Sequence, residues 1–319
     1  MTANSHSHQR GIVLITAILI VVIIASVAAT LGLAQQVWLR QTENFVDRAQ
    51  ADSLRYSAIN WVAILLTRDA KDNKVDHLDE LWAKQLPPLP TEGGMIAVAI
   101  RDAQSLFNLN NLIRNNAPSP TDISMFQRLL TAQGLDPALV YTLLDWIDQD
   151  SQASQGGAED VDYLAGSPPY RAANQLLTSI DELRLIRGFT PQVVEKLRPL
   201  ITVLPKSTTI NVNTAIEPVL LAMFPSPPAG LDGFLKNRET QPIKDQGDFM
   251  KQLPAGSPAP QVAYGINTEY FLVTIGVRIG RLDRRSEVLV ERPISGQPAH
   301  ALWFRTNPVQ IQTKTDENT

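Results

Sequence analysis

The longest unbroken pattern in the chain is apolar. From Gly11 to Leu39 no charged side chain occurs, and Arg40 is the first after Arg10. The strongly apolar part, Ile12 to Ala34, spans about 34 Å as a helix at ~1.5 Å per residue. That matches a hydrocarbon core of roughly 30 Å. A backbone in lipid must satisfy its own hydrogen bonds, which predicts a helix here. The helical signal continues beyond it. Between Gln35 and Thr67 there is neither Gly nor Pro, and apolar residues recur at Phe45, Ala49, Tyr56, Ile59, Val62 and Leu66. This spacing is an amphipathic stripe. It predicts one helix over 12–68, its first part (12–34) in a membrane and the remainder packed on a domain.

Beyond the helix the pattern shortens. Arg68 to Glu80 is polar, prolines cluster between Leu86 and Pro90, and a short helix is predicted around Leu78 to Gln85. Met95 to Arg101 reads as a strand. Phe107 to Leu112, F-N-L-N-N-L, places asparagines between apolar residues, a pattern suited to turns. Ser119 to Pro205 reads as helical throughout, in four segments: Asp122–Gln133, Asp136–Asp148, Ser179–Arg187 and Pro191–Val203. Thr121 or Asp122 and Ser179 are the predicted N-caps, with Glu182 completing a capping box. Gly134 and Gly188 suit the C-terminal ends. Thr208 to Val212 reads as a strand, and I-N-V-N-T-A (Ile210 to Ala215) opens further helices. Tyr270 to Ile279 alternates as a strand, Val288 to Arg292 pairs with it across the polar turn Gly280 to Ser286, and Ala301 to Phe304 adds a last strand.

Three processing routes fit the N-terminus. A cleaved secretory signal has an apolar region of about 7–15 residues and a small-residue cleavage site; this run is longer and lacks one. A plain signal anchor is the second. The third is a prepilin-type leader: a short polar segment ending in Arg10-Gly11 directly against the apolar run resembles that pattern, with the cut between Gly11 and Ile12 and residues 1–11 removed. Arg10 on the cytoplasmic side sets the orientation. The bulk of the chain then lies outside the inner membrane, in the periplasm of a Gram-negative envelope.

Composition narrows the chemistry. The chain has no Cys, so disulfides, thiol catalysis and Cys-ligated zinc are excluded. Its net charge of −4 disfavours a nucleic-acid partner. Ile180 to Thr190 resembles half of a helix-hairpin-helix element, but Phe189-Thr190 follows Gly188 where the phosphate-binding hairpin needs a second glycine. No G-x-S-x-G, P-loop or H-E-x-x-H is present, and the expectation is a non-enzyme.

One cluster carries chemistry. Asp145, Asp148, Asp150, Glu159, Asp160 and Asp162 are six carboxylates in eighteen residues around Gly156-Gly157. They repel one another unless a cation joins them. An oxygen-only set with flexible spacing suits Ca²⁺ over Mg²⁺. An EF-hand register puts Asp148, Asp150 and Glu159 at positions 1, 3 and 12, but Ala153 stands where the glycine belongs.

Taken in order, the leader junction, F-N-L-N-N-L, D-W-I-D-Q-D, G-G-A-E-D, P-P-Y-R-A-A-N (Pro168 to Asn174), I-N-V-N-T-A and the C-terminal strands resemble the K-type minor pseudopilins of type II secretion. Thr16 stands at the fifth position after the cut, where most pseudopilins carry a glutamate that neutralises a neighbour's N-terminal amine. An unpaired carboxylate in lipid is costly, so its absence points to a subunit with nothing above it. The resemblance implies an α+β fold with a pilin-like antiparallel sheet and a large inserted all-α domain. The implied division is 69–105 and 207–310 for the sheet domain, 106–206 for the insert and 311–319 for a disordered tail. It also implies cleavage and methylation by a prepilin peptidase, one or two Ca²⁺ ions on the acidic loop, and pseudopilins I and J as partners at the filament tip alongside other pseudopilins. The implied function is capping the pseudopilus and initiating it for export of folded proteins. A signal-anchored periplasmic calcium-binding module and a helix-hairpin-helix-like DNA-binding protein are the alternatives.

Overall fold

The computed structural model describes residues 6–307. The start of the expected leader and the tail 311–319 lie outside the described residues. Helix α1 runs His6–Asp72 without a break. Among the described residues no other segment covers its apolar first part, where Ile12 to Ile24 is exposed. It is the one described helix long and apolar enough to cross a membrane. Further along, Ala51, Arg55, Ala58, Ile59, Val62 and Leu66 are buried against a sheet. Half of the predicted stripe is therefore in place and half is not: Phe45, Ala49 and Tyr56 face outward. The globular part meets the helix at Asp47, beside Gly280, and at Gln50, whose Nε2 donates to Glu92 O at 2.6 Å. Phe45 lies before these contacts, and Ala49 is exposed between them. Small residues at 51 and 58 let the sheet approach closely, which rotates the buried face away from Tyr56. Arg55 takes the inward position, its guanidinium 4.9 and 4.7 Å from the rings of Tyr56 and Phe304.

The predicted helix at Leu78–Gln85 is a series of turns that buries Trp82. Strands β1 (Leu89–Thr91) and β2 (Gly94–Asp102) come next. Then come β3 (Phe107–Asn108), a short hairpin of β4 (Ile113–Arg114) and β5 (Ala117–Pro118), and helices α2 (Pro120–Ala132), α3 (Leu139–Ile147), α4 (Asp160–Leu164) and α5 (Pro191–Leu197). The predicted continuous helical region is thus broken by long irregular loops before and after α4. Strands β6 (Ile201–Thr202) and β7 (Ile210–Asn211) lead to α6 (Glu217–Ala222), α7 (Leu231–Thr240) and α8 (Gln246–Gln252), then β8 (Tyr264–Gly265). The chain closes with β9 (Tyr270–Ile279), β10 (Leu282–Glu291) and β11 (His300–Asn307). Strand β10 starts earlier than the sequence pattern indicates, because pairing with β9 holds from the tight turn at Gly280 onward.

The main sheet is antiparallel, ordered β1-β2-β9-β10-β11. Alternate residues of β9 (Phe271, Val273, Ile275, Val277 and Ile279) face α1. Strands β2 and β9 are neighbours in register from Gly94↔Ile279 to Asp102↔Phe271. Everything between Asp102 and Tyr270 is therefore one insertion whose ends lie side by side. This moves the expected division: residues 210–265 do not return to the sheet domain at 207. Ile210, Val219, Leu220, Phe234 and Phe249 belong to the same core as Phe107, Phe126 and Leu143.

The insert is built from two like halves. In each, a two-residue strand pairs in parallel with a later one, β3 with β6 and β7 with β8. In each, an asparagine clamps a distant backbone segment. Asn110 donates to Leu177 O at 3.0 Å and accepts from Leu177 N at 2.9 Å. Asn213 does the same with Ile243, at 3.0 and 2.7 Å. The next turn repeats as well: Glu182 accepts from Thr178 N, and Asp248 from Lys244 N. Ser179 is an N-cap as predicted, but Glu182 closes on Thr178, one residue before the reciprocal partner of a capping box. The asparagines of F-N-L-N-N-L do form a local turn, yet their buried side chains mostly satisfy backbone far along the chain. Asn108 and Asn111, for instance, bond Leu204, Lys206 and Thr208.

A polar hub joins helix, sheet and insert. Arg292, at the end of β10, pairs through Nη1 with Asp69 of α1 at 2.7 Å and through Nη2 with Asp76. Asp76 accepts from Thr268 N, and Asn211 bridges Asp76 O to the Asp102 carboxylate. Burial raises Asp76, and it pushes Asp69 and Asp102 up to about 6. Arg292 is the counter-charge that works against burial and lowers both Asp69 and Asp76. Replacing one partner of a buried pair leaves the other charge uncompensated, so Arg292→Met is expected to lower the unfolding free energy by about 3–5 kcal/mol. Adding Asp76→Asn should recover part of the loss. Denaturant titration of the full chain in detergent measures both, and an unchanged midpoint for Arg292→Met would contradict the hub.

Candidate metal centre

Helix α3 delivers Asp145 on its inner face and ends at Asp148. Asp145 is fully buried, and its carboxylate accepts Ser154 N at 3.2 and 3.0 Å. The loop folds back so closely that a Cβ at Gly157 would lie 1.8 Å from Asp145 Oδ2. Only glycine fits there. The loop then enters α4 with Glu159 at the N-cap position.

Asp148, Asp150 and Glu159 each offer a carboxylate oxygen within 4.8 Å of the others. These are the residues at positions 1, 3 and 12 of the imperfect EF-hand register, and the loop joins two helices as that register requires. Asp145 lies beneath them and adds its field, but its carboxylate is already held by Ser154 N. Asp160 and Asp162 are engaged elsewhere. Asp160 pairs with Arg171 at 3.0 Å and accepts Ala172 N, and Asp162 pairs with Arg187 at 2.8 Å and accepts Glu159 N. Three of the six expected ligands thus converge, and three position the loop.

The electrostatics of the converging set are unbalanced. Asp148 Oδ1 and both carboxylate oxygens of Glu159 are buried without a donor. Burial, then the charges of Asp150 and Asp145, push Asp148 up to about 6. Burial and the charges of Asp145 and Asp148 push Glu159 up to about 7. Asn174, which carries no charge and so gave no ligand signal in the sequence, contributes to the same loop. Its Nδ2 donates to Asp150 O at 3.2 Å, its own N–H donates to Trp146 O, and its Oδ1 is buried with no donor. Its φ of 46° is left-handed, a conformation asparagine tolerates better than most residues. Buried polar atoms are ordinarily paired, so four orphaned acceptors in one loop mark a place where a hard cation fits.

A second carboxylate group behaves differently. Asp69, Asp76 and Glu80 also converge within 4.8 Å. There Arg292 neutralises the aspartates, while Glu80 accepts from Asn73 Nδ2, His77 N and Trp82 Nε1. That group is satisfied by protein donors and offers no metal site.

Two family models match the chain, both described as type II secretion system (T2SS), protein K; one covers residues 105–206 and the other 210–267. The break between them falls between the two halves of the insert. The chain is 36% identical over 296 residues to the type II secretion system protein K of Pseudomonas aeruginosa, covering 88% of this chain and 87% of that one. It is 31% identical to the Klebsiella pneumoniae protein of the same name, covering 89% and 93%. Among solved structures it resembles a chain in the crystal structure of the GspK-GspI-GspJ complex from enterotoxigenic Escherichia coli, with a TM-score of 0.68 and 25% identity over 84% of this chain and all of that one. Fold, insertion and sequence agree, and the chain belongs to the type II secretion system protein K family.

Proposed function

We propose that this chain is the minor pseudopilin that caps the pseudopilus tip and helps initiate its assembly, acting structurally rather than as an enzyme. The observation that carries this reading is where the insert sits. The turns at Glu92–Gly93 and Gly280 lie beside Gln50 and Asp47 of α1, at the end of the sheet nearest the membrane segment. The insert leaves and re-enters at the opposite end, between Asp102 and Phe271. Over half of the chain is thus stacked where the next subunit of a filament would stand. Such a subunit ends a filament and does not continue it.

The membrane segment supports the same reading. Thr16 stands where a glutamate would bind the neighbour above. Its hydroxyl donates to the carbonyls of Ile12 and Val13, at 3.1 and 2.9 Å, and needs no partner from another chain. The exposed apolar residues Phe45, Val46, Trp61 and Ile64 of α1 offer a face for the helices of other pseudopilins. GspI and GspJ, found with the homologous chain, are the expected neighbours. Anchorage in the inner membrane with the folded part in the periplasm follows from Arg10 and the apolar run. The family's processing by a prepilin peptidase is expected between Gly11 and Ile12, with methylation of the new N-terminus.

Ca²⁺ is the proposed occupant of the acidic loop, held by Asp148, Asp150 and Glu159. Neutralising their charge fixes the loop over α3, and with it the rim of the insert.

Co-expression with a prepilin peptidase should give an N-terminus at Ile12 by sequencing and intact mass; an unchanged Met1 start would contradict the pilin-like assignment. Ca²⁺ should raise the melting temperature of the full chain in detergent, and Asp150→Ala combined with Glu159→Ala should abolish the rise; an identical melt in Ca²⁺ and in EDTA would contradict the site. Proton linkage gives a further check. Asp148 and Glu159 titrate higher folded than unfolded, so the metal-free fold holds the extra protons. Its stability from these groups is therefore greatest at low pH and declines as pH rises through about 6 to 7. Calcium affinity, measured by calorimetry, should run the other way and weaken as pH falls through the same window.

A further inference from the structure

A cavity apart from the acidic loop lies between the two halves of the insert. It is a trough of about 820 Å³ between α2 and α6, walled by Arg128, Ala132, Pro218, Leu221, Pro225 and Pro227. That volume falls within the roughly 300–1,000 Å³ typical of ligand sites. The trough opens on an exposed surface, since Thr131, Ala132, Pro225 and Pro227 are all accessible. The prolines fix the backbone of one wall and remove its N–H donors, so that wall is stiff and apolar.

Two of the polar groups in the trough are already engaged by the protein. Thr131 Oγ1 donates to Gln127 O, and Gln127 Nε2 donates to the Tyr141 hydroxyl. Arg128 is engaged only in part. Its Nε donates to Ala222 O at 2.8 Å, at the end of α6. Its Nη2 is buried with no acceptor, and among the described residues the guanidinium forms no ion pair. Burial lowers its affinity for the proton, with no carboxylate near enough to restore it. Glu217 lines the same trough but remains exposed at the start of α6 and does not meet Arg128. A half-buried cation in an apolar trough is poorly compensated as it stands, and a carboxylate placed against it makes a charge-assisted pair.

We infer that the trough between α2 and α6 is a docking site for an apolar peptide segment that carries a carboxylate, with Arg128 as the anchor for the acid and Leu221, Ala132 and the prolines as the apolar bed. This site is separate from the acidic loop and from the exposed face of α1, and it stands whether or not either is used as proposed above.

The absence of native cysteine makes the test simple. Ser226→Cys, on the exposed rim, carries a trifluoromethyl label in the full chain in detergent, and ¹⁹F spectra are followed during titration with the blocked peptides acetyl-Leu-Glu-Phe-amide and acetyl-Leu-Gln-Phe-amide. The acidic peptide is expected to shift the signal saturably and to bind roughly tenfold more tightly than its neutral isostere, the size of one charge-assisted hydrogen bond. Arg128→Met should bring the two peptides to equal affinity. Ala132→Trp, an exposed position that does not disturb the core, should fill the trough and block both. A signal that moves with neither peptide, equal binding of both to the unsubstituted protein, or undiminished binding to Ala132→Trp would each overturn the inference.

Discussion

The pairing of β2 with β9 is the constraint on which the rest of the structure depends. It brings Asp102 and Phe271 together across the whole of the insert, so the inserted domain leaves the sheet and returns at a single point. Two neighbouring strands can accept such an insertion without loss of register, because the sheet sees only the two ends. The energetic difficulty is the junction itself, where strand ends, loop and helix end meet and leave polar backbone to be satisfied. Arg292, Asp76, Asn211 and Asp102 meet that need in one connected set of hydrogen bonds. A network of this kind is stabilising only when each member is paired, which is why its arginine matters more than a surface ion pair of the same length.

Inside the insert the same problem is solved twice with one device. Asparagine offers an acceptor and a donor at peptide-like spacing, so a buried asparagine can stand in for a missing strand. Asn110 and Asn213 each bond both the N–H and the carbonyl of one distant residue. The two halves differ chiefly in the segment after the second helix of each. The first half carries the long acidic loop between α3 and the Leu177 clamp, whereas the second reaches its Ile243 clamp almost directly from α7. The acidic loop is thus an addition to a common unit, tied to its core through Ala158 and Tyr163. Within it, Asp148 and Glu159 hold buried carboxylate oxygens that no protein donor meets, and the proposed cation would balance them.

Much of this was legible in the residues. The apolar run and the alternation of Tyr270 to Ile279 each state their physical character locally and form the element expected, and three of the six carboxylates of the acidic cluster converge. The features that were not legible depend on contacts between distant segments. The inward face of α1 followed small residues and Arg55 rather than the aromatic positions, because sheet approach decides it. The insert's true end lay beyond 206 because I-N-V-N-T-A pairs with Tyr264-Gly265, a parallel contact that no local pattern announces. In the acidic loop, charge alone could not separate Asp148, Asp150 and Glu159 from Asp160 and Asp162. Their roles were divided by Arg171 and Arg187, which reach in from later in the chain.

On the proposed function, other pseudopilins adjoin this subunit from below but not from above, and its inserted domain forms the end of the assembly. Its position in the filament is the most direct test. A single cysteine introduced at exposed Lys236, labelled with gold and viewed in isolated pseudopili by electron microscopy, reports that position. The account predicts one label per filament, always at the same end. Labels distributed along the shaft would contradict it.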